Sequence, residues 1–104
     1  VKAKSEYPFQ AIFERDNFTC RYCGWDGSSD FDNWWVAAFN VDHIIPKSQG
    51  GTDAQDNLVL ACRACNQYKG NGKCNSLDDA IKLVHARRER ARRWFGKHVL
   101  KLKE

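Results

Sequence analysis

The chain is 104 residues long, 29% charged, with two prolines and a formal net charge of +4. That size predicts one domain with a modest core, and the sparse proline and mixed composition argue against wholesale disorder. No apolar run approaches membrane-spanning length, and the start, Val1-Lys2-Ala3-Lys4, lacks the apolar stretch of a secretory signal, so the sequence predicts no membrane partner and a reducing, cytoplasmic (intracellular) setting.

In chain order, the first predicted element is a short helix over residues 8–17, with Phe9, Ile12 and Phe13 on one face and Glu14, Arg15 and Asp16 on the other. A tight knuckle follows, Cys20-Arg21-Tyr22-Cys23, closed by Gly24. Residues 25–33 carry Gly-Ser and Ser-Asp clusters and read as a loop, while 34–39 form an apolar block suited to the core or to the lead into a strand. A strand is expected over 39–45, limited by Pro46, then a turn at Gly50-Gly51 and a second short strand at Leu58-Val59-Leu60. After the second knuckle, Cys62-Arg63-Ala64-Cys65, a helix opens at Asn66 and is stopped by Gly70-Asn71-Gly72. The longest helix starts beyond Ser76, an N-cap with Asp79 three residues on; Leu77, Ala80, Ile81, Val84 and Ala91 can share its apolar face, and Gly96 is expected to end it. Residues 99–102 suit a final strand or a frayed end. His85 and His98 lack a partner pattern and read as structural or surface residues, and Cys74 as a spare thiol.

The charge is unevenly spread. Residues 82–104 hold nine Lys or Arg against two Glu, or +7, which leaves eight basic and eleven acidic residues, or −3, for residues 1–81. A basic tail on a mildly acidic body suggests a polyanionic partner docked by side chains such as Arg87, Arg90 and Arg93.

The cysteines carry the strongest motif. Cys20, Cys23, Cys62 and Cys65 form two Cys-x-x-Cys pairs, the spacing of a tetrahedral structural zinc with a filled shell. Thirty-eight residues separate the pairs, but closure entropy grows only as the logarithm of loop length. Each doubling costs about 0.6 kcal/mol, against ~10–16 kcal/mol for zinc in a small domain. Two disulfides in a secreted domain are the competing reading, and the odd fifth cysteine counts against it.

Between the pairs lie residues of the types a metal-assisted hydrolase uses. His43 suits a general base, since the imidazole group as a class changes charge near neutral pH. Asp42 offers a hard anionic oxygen and Asn66 a neutral one, a combination suited to Mg²⁺ or Mn²⁺. In a regular strand, neighbouring side chains 42 and 43 point to opposite faces, so a shared site requires a distorted strand or a site straddling its end.

The motifs Phe18-Thr19-Cys20-Arg21-Tyr22-Cys23-Gly24, Val41-Asp42-His43-Ile44-Ile45-Pro46, Gly50-Gly51, Asn57-Leu58-Val59-Leu60 and Cys62-Arg63-Ala64-Cys65-Asn66, through to Lys69, closely resemble the HNH endonucleases. The likeness is greatest to their zinc-containing branch with a ββα-metal core, and it covers about half the chain. It implies a small, zinc-stabilised α+β fold: an HNH core over about 13–70 in a single domain spanning 1–104, flanked by a short N-terminal helix and a long basic helical tail over 76–104. It implies His43 as general base, Asp42 as metal ligand, and Asn57 as the residue pinning the loop between the strands. Asn66 would stand at the third signature position, where many members carry histidine, which makes this chain an H-N-N variant. The implied activity is divalent-metal-dependent hydrolysis of DNA, leaving 5′-phosphate and 3′-hydroxyl ends. Apart from the resemblance, Lys69 reads as a phosphate contact beside the basic tail, with a solvated surface lysine as the competing reading. The alternative is a zinc-knuckle DNA-binding module without activity, and a weaker rival is a protein-interaction domain anchored by exposed Trp34 and Trp35. Residues 25–40 exceed the family's usual spacer and have no assigned role.

Overall fold

A computed structural model describes residues 9–104; Pro8 and the Val1–Lys4 start lie outside the described residues. Helix α1 (Gln10–Arg15) buries Ile12 and Phe13. Its polar face behaves differently from the sequence expectation, because Asp16 just beyond it is buried. The Asp16 carboxylate accepts from Arg15 (2.8 and 3.0 Å), from Arg21 (2.7 Å) and from the backbone N–H of Leu60 (2.8 Å). Burial pushes this carboxyl up, but the Arg15, Leu60 and Arg21 donors outweigh burial and hold it below its usual range. A charged group enters the interior here because every lone pair it brings is met.

Residues 31–37, expected as loop end and apolar block, form helix α2 (Phe31–Ala37). Asp30 caps it by accepting from the Asn33 N–H at 2.8 Å, and Ala38 ends it in the left-handed conformation. Helical spacing splits the tryptophans. Trp34 packs among Phe13, Phe18 and Phe39 at ring separations of 5.6–6.2 Å, whereas Trp35 stacks on Phe31 one turn away and faces solvent.

Strands β1 (Asn40–His43) and β2 (Leu58–Ala61) pair antiparallel, with Asp42 opposite Val59 and His43 opposite Leu58. Strand β2 is buried at every position, and its far edge is covered: Leu60 accepts from the Arg21 N–H and donates to Asp16. Helix α3 (Arg63–Lys69) begins three residues earlier than expected, so Cys65 rides on its first turn, with Cys62 at the N-cap. Together β1, β2 and α3 make the ββα unit of a small α+β fold.

Helix α4 (Leu77–His98) is capped as expected, Ser76 accepting from the Asp79 N–H at 3.1 Å. Ala80 and Val84 are its buried residues, with Leu77, Ile81 and Leu83 partly covered against the core. The helix runs through Gly96. A mid-helix glycine costs only about 1 kcal/mol relative to alanine, and nothing at Gly96 demands the left-handed backbone that stops a helix. Leu100–Lys103 close the chain as a 3-10 turn rather than a strand. No helix among the described residues is long and apolar enough to cross a membrane.

Candidate active site and metal cluster

The two knuckles converge. The Sγ atoms of Cys20, Cys23, Cys62 and Cys65 all lie within 4.8 Å of one another, with Cys23 and Cys62 3.9 Å apart. A tetrahedral zinc with Zn–S bonds of about 2.3 Å sets its sulfurs about 3.8 Å apart, so the cluster has the size for that ion. The crowded thiols polarise one another. Thiol donation from Cys62 and Cys65 pushes Cys20 down, while Cys20 pushes Cys62 up to about 11 and, with Cys62, pushes Cys65 up as well. A divalent cation held by the four sulfurs would supply the charge that lets them ionise together. Cys74 is buried but stands outside this group.

The same fold brings Asp42 and His43 to one cleft at the end of β1. Its volume is about 260 Å³, and Pro46, Lys47, Ser48, Gly70 and Asn71 complete the walls. Both residues line this cleft at the strand end, where the strict alternation of side-chain faces along a strand no longer separates them. Asp42 is held from two sides on one oxygen. Tyr22, between the cysteines of the first knuckle, donates its hydroxyl to Asp42 Oδ2 at 2.5 Å, and Lys69 Nζ lies 3.3 Å from the same atom. Oδ1 carries no hydrogen bond to any described residue.

Lys69 was expected as a phosphate contact; the structure corrects this. Its side chain is 1% exposed, and its ammonium donates to the His43 carbonyl at 2.7 Å while pairing with Asp42. A buried lysine survives only when its charge is met, and here it neutralises the carboxylate from inside the fold. Arg87 is likewise engaged. It donates to the Tyr68 and Lys69 carbonyls (2.7 and 2.9 Å), satisfying the open end of α3 and docking α4 there. Arg90 and Arg93 are exposed on the outer half of α4, where nearly every side chain from Arg87 onward faces solvent.

Asn57 is buried and makes three backbone bonds across the inter-strand loop: Oδ1 accepts from the Ile45 N–H (2.9 Å), and Nδ2 donates to Ile45 O (3.1 Å) and Thr52 O (2.9 Å). Asn66 is half-buried on α3, one turn before Lys69 and so on the same helical side, and its amide bonds to no described residue. It is not part of the cleft wall formed by Asp42 and His43.

Two residues escaped the sequence reading. Tyr22 sat inside the knuckle as an unremarked x-position. Asp53 lies past Gly50-Gly51, and its Oδ1 is 2.7 Å from His43 Nε2, with Oδ2 3.1 Å from Lys47 Nζ. The signal for Asp53 was the glycine pair. A Cβ on Gly51 would fall 1.7 Å from Ile45 O, so only glycine lets the loop fold back over the strand end. His85, on α4, donates from Nε2 to the Tyr22 carbonyl at 2.8 Å and braces the first knuckle.

A cysteine-clipped ββα unit presenting Asp-His at its strand end and Asn on its helix is the arrangement of one nuclease class. The family model for the HNH endonucleases matches residues 20–72, and the chain belongs to that family. It is also 41% identical over 64 residues to the CRISPR-associated endonuclease Cas9 of Corynebacterium diphtheriae. That match covers 61% of this chain and 5% of the relative, so the chain corresponds to a small part of that protein's length.

Proposed function

We propose that this chain is a divalent-metal-dependent endonuclease that hydrolyses DNA phosphodiester bonds, with His43 as general base and Asp42 and Asn66 as the ligands of a Mg²⁺ or Mn²⁺ ion. The observation that carries the reading is the shared cleft. A histidine and a carboxylate line one opening, and the carboxylate keeps one oxygen unengaged. The free Asp42 Oδ1 and the unbonded Asn66 amide are hard oxygen donors of the type Mg²⁺ and Mn²⁺ take. When bound, such an ion supplies positive charge for the phosphoryl and leaving oxygens.

The residues of the chain do the rest. The His43 ring, 25% exposed, is open enough to meet water and takes its proton as attack on phosphorus begins. Tyr22 and Lys69 fix Asp42 so that its free oxygen need not be ordered at the moment of binding. Asn57 holds the loop that frames the cleft. The tetrathiolate cluster, read as a structural zinc site, anchors Tyr22 and the start of α3. Exposed Arg90 and Arg93 on α4 supply phosphate attraction without base reading.

Supercoiled plasmid incubated with the chain and Mg²⁺ or Mn²⁺ tests this. Relaxed or linear product is expected from the wild type and none from His43→Ala at unchanged fold and zinc content. A mobility shift without strand breakage in the wild type would leave a DNA-binding module in place of the enzyme.

A further inference from the structure

We propose that Asp53 is a positioning residue for His43: it fixes the imidazole ring with Nε2 as the protonated nitrogen and so presents Nδ1 to the water. The inference rests on the reading of His43 as general base. Asp53 Oδ1 lies 2.7 Å from His43 Nε2, and its other oxygen is 3.1 Å from the Lys47 ammonium. A carboxylate paired with a lysine is an acceptor only, so the hydrogen in the His43 contact sits on Nε2. Nδ1 then carries the lone pair, and it bonds to no described residue. His43 and Lys47 together hold the Asp53 carboxyl below its usual range.

An exposed aspartate beside a histidine is ordinarily a surface pair worth at most about 1 kcal/mol. Asp53 differs because the backbone carrying it is held. The Thr52 carbonyl accepts from Asn57, the Ala54 N–H donates to Thr52 Oγ1 at 3.3 Å, and Gly51 is packed against Ile45. Lys69 fixes the other side of the same residue by its bond to the His43 carbonyl. The ring is thus held at Nε2 by the loop, and its backbone by α3. The Asn57 clamp therefore acts on the chemistry through Asp53, a connection that the sequence motif does not reveal.

The test uses the full chain with its zinc. Asp53→Ala is at an exposed position, so its thermal midpoint should stay near wild type. Its kcat for plasmid or oligonucleotide cleavage should fall about 10²-fold, the scale of a misplaced catalytic group, with KM unchanged and partial rescue by Asp53→Glu. In proton NMR, the His43 Nε2–H should be slowed in exchange in the wild type and lost to water exchange in Asp53→Ala. Wild-type kcat in Asp53→Ala while His43→Ala is dead would overturn the positioning role and spare the base. Full activity in His43→Ala would overturn the base itself. A His43 Nε2–H that exchanges at the same rate with and without Asp53 would overturn the bond.

Discussion

Tyr22→Phe removes a single hydroxyl from the junction between the metal clip and the hydrolytic cleft. Tyr22 is 2% exposed, and its hydroxyl donates to Asp42 Oδ2 at 2.5 Å. Burial first, and then the Asp42 bond, pushes the phenol well above its usual range, so it remains a donor at any working pH. A hydrogen bond to a buried charged group is worth about 1.5–3 kcal/mol, and phenylalanine would leave Lys69, at 3.3 Å, as the support for that oxygen. In a domain of this size 1 kcal/mol moves the midpoint by about 4–8 °C, so a fall of roughly 6–24 °C is expected by circular dichroism. Metal analysis should still give one zinc per chain, because Cys20 and Cys23 keep their sulfurs. The Mg²⁺ concentration giving half-maximal cleavage should rise, since Asp42 must now be ordered by the ion. A midpoint within 2 °C of wild type would show that the hydroxyl does not hold Asp42. Loss of zinc would show that Tyr22 serves the knuckle instead.

Asp16→Ala should destabilise the chain by roughly 2–4 kcal/mol in urea denaturation, mostly from the Leu60 N–H left unpaired in the interior. Because the Asp16 carboxyl is held below its usual range, its contribution is complete above about pH 4 and is lost as pH falls through its own lower value. Acid unfolding of the wild type should therefore steepen below pH 4, and in Asp16→Ala that step should shrink. Lys69→Met strands Asp42 without its counter-charge at a cost of about 3–5 kcal/mol, and Mg²⁺ should raise the mutant's midpoint more than the wild type's. Stripping the cysteine-bound metal with a strong chelator should collapse both secondary structure and cleavage. Replacing Arg90 and Arg93 with Ala should flatten the salt dependence of DNA binding at unchanged stability, whereas Arg87→Ala should lower stability through the exposed end of α3.

What was legible in the sequence follows from the range of the signals involved. The knuckles, the short strands and the Ser76 cap announce themselves through residues within a few positions of one another, and the structure places them close to where they were read. Helix α2 was missed because its cap, Asp30, sits in a run of Ser and Asp that also describes a loop, and a seven-residue helix offers too few turns for a period to emerge. Lys69, Arg87 and Asp16 were read as surface charges because a charged side chain is solvated far more often than not. Lys69 and Asp16 are buried and Arg87 is tied down by partners 18 to 44 positions away in the chain, at His43, Leu60 and Lys69. Asp53 and Tyr22 belong with these: each acquires its meaning only when the loop between the strands folds back and the clip closes. Gly96 was over-read, since a glycine ends a helix where the backbone must turn left-handed, and here it does not.

The account depends on a second cation site, separate from the four cysteines, at Asp42. A crystal of the chain soaked in Mn²⁺ and measured by anomalous diffraction tests it directly. The expected map has a manganese peak within ligand distance of Asp42 Oδ1 and the Asn66 amide oxygen, beside the His43 ring and apart from the zinc peak. A map with density at the cysteine cluster alone, and Asp42 still bound on both sides with no ion beside it, would contradict the enzyme reading at its root.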